Sequence, residues 1–171
     1  MNIVVYRPPD ANINSFTKIL EKVREILSKV KAPEPTVLLS GDFNFSFIKW
    51  IREEHGGCRW EEKVRSGATR DGKKQLEKLN EEVDRFNLVQ IIEEPTREEN
   101  TLDLVFTNEV SLITQVEISK TDMSDHNRIK LSTNIKSENI QTKRKEEKQL
   151  EGEPCFWKLN FHHNDRLENN K

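Results

Sequence analysis

Four short stretches place chemistry-bearing side chains at the ends of apolar runs: Tyr6-Arg7-Pro8-Pro9, Gly41-Asp42-Phe43-Asn44, Thr101-Leu102-Asp103-Leu104 and Ser124-Asp125-His126. Ligand sites in α/β sheets cluster outside the carboxyl ends of strands. Asp42 and Asn44 stand two apart after Val37-Leu38-Leu39, and an extended chain would turn both side chains to one side. The same residues also suit a turn in which Asp and Asn bond to their own backbone. Asp103 inside an apolar strand is more demanding, because a carboxylate taken out of water needs a partner, and histidine is the natural one. Carboxylates of this kind can hold a hard divalent cation through oxygen. A carboxylate–histidine pair can orient an imidazole. Taken singly, Asp125-His126 also reads as surface polarity, and Tyr6 as a core ring ahead of a loop.

These residues need elements to position them. Asn2–Tyr6 is a β-branched, aromatic run stopped by Arg7-Pro8-Pro9 and predicts a strand. Phe16, Ile19, Leu20, Val23, Leu27 and Val30 recur at steps of three and four behind a cap at Asn14-Ser15, which predicts an amphipathic helix. Thr36–Ser40 predicts a strand buried on both faces. Residues 49–72 read as a loop-rich segment with Gly56-Gly57, Gly67 and Gly72. Lys73–Asn87 predicts a second helix with the stripe Leu76, Leu79, Val83 and Phe86. Leu88–Ile92, Leu102–Phe106, Ile113–Ile118 and Ile129–Ile135 predict strands. The order strand, helix, strand points to an α/β layer architecture.

The bulk composition sets outer bounds. The chain has 171 residues, suited to one domain or one domain plus a tail. With 33% hydrophobic and 34% charged residues the core is lean, so part of the chain is expected to lie outside it. The formal net charge of −2 gives no direct nucleic-acid signal, yet metal-binding carboxylates would mask a basic face. Cys58 and Cys155 form no C-x-x-C pair and no disulfide framework, and no run approaches the roughly 18 apolar residues of a membrane helix. Beyond Lys136 the chain turns polar, with the charged run Lys143-Arg144-Lys145-Glu146-Glu147-Lys148 and then the apolar island Phe156–Phe161. The run reads as a solvated linker, while His55 and His162-His163 read as loop and tail histidines.

In this order the four motifs resemble the endonuclease/exonuclease/phosphatase superfamily, with its DNase I-like and apurinic-endonuclease-like fold. "GDFNFSFIKW", "NLVQIIEEPTREENTLDLVFTN" and "SDHNRIKLS" narrow the resemblance to the endonuclease domain of a Jockey-type non-LTR retrotransposon, which precedes a reverse transcriptase. It spans about residues 2–135. The fold it implies is the carboxyl-terminal part of a four-layer α/β sandwich, with mixed, largely antiparallel sheets flanked by helices. The implied reaction is metal-dependent nicking of target DNA that leaves a 3′-hydroxyl. In the implied roles, Asp42 activates the nucleophile, Asn44 orients the phosphate, His126 contacts the scissile phosphate and Asp103 holds its imidazole. Tyr6 lies against the phosphate, Arg7 contributes to substrate binding, and Asp125 is a metal ligand with Asp42 as a second candidate. Mg²⁺ is the implied ion, with Mn²⁺ as the alternative. The implied partners are DNA and a covalently linked reverse transcriptase, with no membrane and no small-molecule cofactor; a nuclear site of action follows from the resemblance alone. Superfamily members carry two further strands ahead of the Tyr-x-Pro motif, which supply an asparagine and a glutamate metal ligand. With that motif at residues 6–9, the expectation is a truncated domain over 1–136, inactive alone, with bare apolar surface on its sheet, followed by a linker and tail over 137–171. Two rivals stand beside this reading: another superfamily phosphodiesterase or phosphatase, and a non-catalytic DNA- or protein-binding remnant.

Overall fold

Alternation in the first strand appears directly as burial. Ile3 and Val5 of β1 (Asn2–Tyr6) point into the core, while Asn2, Val4 and Tyr6 point out. The computed structural model describes residues 1–29, 36–54, 57–63 and 67–134. Expectations for Val30, the stretch 31–35, His55, Ile135 and everything in 137–171 fall outside the described residues.

Helix α1 (Ile13–Ser28) is capped by Asn12, whose side chain accepts from Ser15 N, two residues before the expected cap. Its stripe of Phe16, Leu20, Val23 and Leu27 is buried, each side chain contributing about 1.5–3 kcal/mol through the area it removes from water. β2 is Leu38–Asp42, displaced by two residues from the expected strand so that Asp42 belongs to the ladder. Helix α2 (Arg70–Arg85) starts at a Thr69 cap that accepts from Gly72 N, and Asp71 in its first turn and Arg85 in its last complement the helix dipole. α1 and α2 pack together on one face of the main sheet, and their apolar stripes join Leu39, Phe43, Phe45 and Phe106 in the principal core.

That sheet has the order β1-β2-β6-β5, with β5 at Val89–Gln90 and β6 at Asp103–Thr107. β1 runs parallel to β2, and β6 runs antiparallel to both β2 and β5. β5 is shorter than expected because the Gln90 side chain occupies the backbone of Ile92: its Oε1 accepts from Ile92 N, and its Nε2 donates to Ile92 O at 2.6 Å.

Two hairpins complete the described structure. β3 (Ile48–Arg52) pairs with β4 (Cys58–Glu62), placing Trp50 opposite Trp60. This corrects the loop reading of 49–72, since β4 carries little apolar pattern of its own and takes its register from β3. β7 (Ile113–Ser119) pairs with β8 (Arg128–Thr133). Ile118, Ile129 and Leu131 of this hairpin form a second core with Val105, Ile91, Ile92 and Leu38, on the face of the main sheet away from the helices. On that face Val4 of β1 is 80% exposed and Tyr6 51% exposed. Mixed α/β content with several antiparallel pairings and two helices matches the expected fold class.

Candidate functional site

The strand registers draw distant motifs into one row. Tyr6 at the end of β1 is the partner of Asp42 at the end of β2, and Asp42 is the partner of Asp103 at the start of β6. Cross-strand partners share a face of the sheet, so this row projects away from the helices. Gly41 makes the row possible. Its φ of +146° is one that L side chains rarely adopt, and a Cβ there would lie 1.7 Å from the Val5 carbonyl oxygen.

His126 reaches the row from the loop ahead of β8. Its Nδ1 lies 2.7 Å from Asp103 Oδ2, so the half-buried carboxylate has a histidine partner. With a carboxylate as acceptor, Nδ1–H donates and Nε2 faces outward from the pair. Ligand atoms of Asp42, Asp103 and His126 all lie within 4.8 Å of one another, a set that could hold a metal ion. Burial pushes the Asp42 carboxyl above its ordinary range, and the neighbouring Asp103 charge pushes it further; hydrogen bonds from Asn44 and the His126 charge act the other way. Two carboxylates this close, with one imidazole beside them, suit a divalent cation. Beside Asp103 a cavity of about 320 Å³ opens, lined by Ser40, Gly41, Val105, Asn127, Ile129 and Leu131 among others.

Asn44 meets Asp42 by turning. Its φ is +52°, so the chain does not stay extended after Asp42. Its backbone N–H donates to Asp42 Oδ1 at 3.1 Å, and its side-chain Nδ2 donates to the Arg7 carbonyl at 2.8 Å.

Arg7 and Asp125 occupy different places from those anticipated. Arg7 is only 4% exposed, and its guanidinium lies 4.6 Å from the Phe45 ring centroid. Its Nε donates to Gln75 Oε1 at 2.7 Å, and one Nη donates to the carbonyls of Phe43 and Asn44 at 3.1 and 3.3 Å. Arg7 therefore supports the Asp42–Asn44 turn from beneath, and its guanidinium is not presented to a substrate. Asp125 is 65% exposed at its side chain and pairs with Arg97 at 2.6 Å, outside the set formed by Asp42, Asp103 and His126.

Sequence reasoning missed Gln75, the anchor of Arg7. A signal was present: Gln75 lies four residues before Leu79, on the helix face that is buried. It also left Thr96 without a role. Thr96 is fully buried, and its hydroxyl accepts from the N–H groups of Leu102 and Asp103, both at 3.0 Å.

Residues 1–130 of the 171 match the model of a family described as endonuclease-reverse transcriptase. The chain belongs to this family, a retrotransposon branch of the endonuclease/exonuclease/phosphatase superfamily. A comparison with curated proteins returned no match.

Proposed function

We propose, from membership of that family, that the domain cleaves DNA phosphodiesters with a divalent metal, nicking a target strand so that a linked reverse transcriptase can extend the 3′-hydroxyl. The observation that carries this reading is the row Tyr6–Asp42–Asp103 with His126 bonded to Asp103. Phosphodiester hydrolysis needs an activated water and a stabiliser for charge on the phosphoryl oxygens. Asp42 serves as the proton acceptor for the water; its raised pKa makes it a stronger base than an ordinary carboxylate. His126, held at Nδ1 by Asp103, presents Nε2 and when protonated donates from it to a non-bridging phosphoryl oxygen. Asn44 fixes the Asp42 carboxylate through its backbone N–H, and the exposed Tyr6 phenol lies against the phosphate.

The carboxylates of Asp42 and Asp103 would hold the metal, and Mg²⁺ is the expected ion, with Mn²⁺ as the alternative. Bound there, it would neutralise developing negative charge on the phosphate. The Asp103–His126 hydrogen bond already engages one ligand atom of each residue, and Asp125 is engaged by Arg97. The described residues thus offer Mg²⁺ a thin set of free oxygens, so this chain alone binds the ion weakly and turns over poorly.

Supercoiled plasmid incubated with the purified chain, with and without Mg²⁺, tests both parts. Binding of plasmid with little conversion to open circles is expected. Brisk Mg²⁺-dependent nicking that disappears in Asp42→Ala and His126→Ala would uphold the nuclease reading and sink the claim of weak turnover. Absence of both binding and nicking would defeat the DNA reading, and phosphate release from a lipid headgroup instead would favour a phosphatase.

A further inference from the structure

We propose that Pro95-Thr96-Arg97 is the clamp that positions His126 against Asp103, with Thr96 as its central positioning residue. The proposal rests on the reading of that pair as phosphate-contacting machinery. Asp103 opens β6 in the main sheet, whereas His126 lies in the loop leading into β8, a strand of a separate sheet. No strand ladder fixes one relative to the other among the described residues. Other contacts must do so, and the tripeptide supplies them on both sides.

Towards Asp103, Thr96 Oγ1 accepts from the backbone N–H groups of Leu102 and Asp103 at 3.0 Å each. Towards His126, the Thr96 carbonyl accepts from Asn127 N at 2.6 Å, and the Pro95 carbonyl accepts from Asn127 Nδ2 at 3.0 Å. On the other flank of His126, Arg97 Nη2 lies 2.6 Å from Asp125 Oδ2. Both neighbours of the histidine are therefore tied to consecutive residues of one turn, and that turn is tied to the aspartate that receives the imidazole. The turn is itself fixed: the N–H groups of Thr96 and Arg97 donate to the Asn100 carbonyl, and Asn100 N donates back to Arg97 at 2.8 Å. Outer-shell partners of this kind decide ring orientation and tautomer.

The two acceptances by one hydroxyl define the test. Valine nearly matches threonine in volume but offers no acceptor, leaving two buried N–H groups without one, whereas serine keeps the oxygen. The readout is the long-range ¹H–¹⁵N spectrum of the His126 imidazole, assigned by its loss in His126→Ala. Wild type and Thr96→Ser are expected to show the Nδ1–H tautomer. Thr96→Val, with circular dichroism showing the fold intact, is expected to revert to the mixture of tautomers of a free imidazole. Retention of the Nδ1–H tautomer in folded Thr96→Val, or its loss in folded Thr96→Ser, would overturn the proposal. If Thr96→Val does not fold, Asn127→Ala carries the test: it removes the bond to Pro95 at the surface, a partial loss of the tautomer is expected, and full retention overturns the clamp. The spectrum needs neither metal nor DNA, so failure of the nuclease reading would show in the plasmid assay and failure of the clamp here.

Discussion

Replacing Asp42 by asparagine should stabilise the fold while removing the group that the proposed chemistry needs. Ligand atoms of Asp42 and Asp103 lie within 4.8 Å of each other. Two unit charges at that distance repel by about 3.5 kcal/mol at an effective dielectric near 20. Asparagine removes the repulsion and keeps an oxygen to accept from Asn44 N, though weakening that charge-assisted bond sacrifices about 1 kcal/mol. Attraction between Asp42 and His126 is lost as well, which lowers the gain further. A net gain of about 1–2 kcal/mol remains, roughly 5 °C in melting temperature for a domain of this size. The pH dependence follows from the raised Asp42 carboxyl. Between its ordinary value of 3.8 and the higher folded value, the folded state holds more protons than the unfolded state, so wild-type stability falls as pH rises through that window. Below it the carboxyl is protonated in both states and the variant gains nothing from charge removal; above it the gain is complete. Thermal melts in chelator at pH 3 and pH 7 read this directly. A variant that melts below wild type at pH 7, or shows the same difference at both pH values, would refute the account of Asp42 as a carboxylate held partly out of water beside a second carboxylate.

The other predictions address the parts that hold the row in place. Gly41→Ala forces a Cβ against the Val5 carbonyl and should destabilise by more than about 3 kcal/mol, read in urea melts, with the β1–β2 pairing lost first in amide exchange. Arg7→Met leaves Gln75 Oε1 and the carbonyls of Phe43 and Asn44 without their donor and should cost about 3 kcal/mol; plasmid binding measured on the fraction that remains folded should be unchanged, because the guanidinium faces inward. Leu79→Ala empties a fully buried position on α2 and should cost about 2–5 kcal/mol in the same melts. Burial pushes the Cys58 thiol from 9.0 up to about 11, so in a Cys155→Ser chain at pH 8 its reaction with a disulfide reagent should be about 10-fold slower than that of a free thiol, the scarcer thiolate being partly offset by its greater nucleophilicity.

Much of this was legible in the sequence where one residue type had one physical outlet. The stripe from Phe16 to Leu27 could only be a helix face. A carboxylate at Asp103 in an apolar strand required a partner, and His126 supplies it. Legibility failed where a residue's fate was set by something remote. β4 is polar enough to pass for a loop, and only its pairing with β3 makes it a strand. Arg7 beside Pro8-Pro9 reads as a free cation until Gln75, 68 positions on, receives its Nε and Phe45 receives its face. Asp125 and His126 are adjacent, yet they part company because Arg97 draws the aspartate outward while Asp103 draws the histidine in. Asn44 at φ +52° fits the self-bonding turn that the sequence also allowed, and departs from the extended chain that the spacing argument assumed.

The stretch Ser40-Gly41-Asp42-Phe43-Asn44 therefore meets three demands at once. It must bring β1 close, which needs glycine at 41. It must end the strand with a carboxylate in the row between Tyr6 and Asp103, which needs aspartate at 42. It must then turn back at once so that a backbone N–H can return to that carboxylate, which needs a residue that tolerates positive φ at 44. Phe43 between them is fully buried and packs edge-on against Phe106 with ring centroids 5.6 Å apart, so the turn is anchored in the core that the helices cover. The carboxylate is thus fixed from below by apolar packing and from the side by hydrogen bonds, while its repulsion from Asp103 is left standing. A fold selected for stability alone would relieve that repulsion with a single substitution at position 42. Retaining it makes sense if a cation or a proton in transit takes up the charge, and that is the physical ground for treating the row as a reaction site.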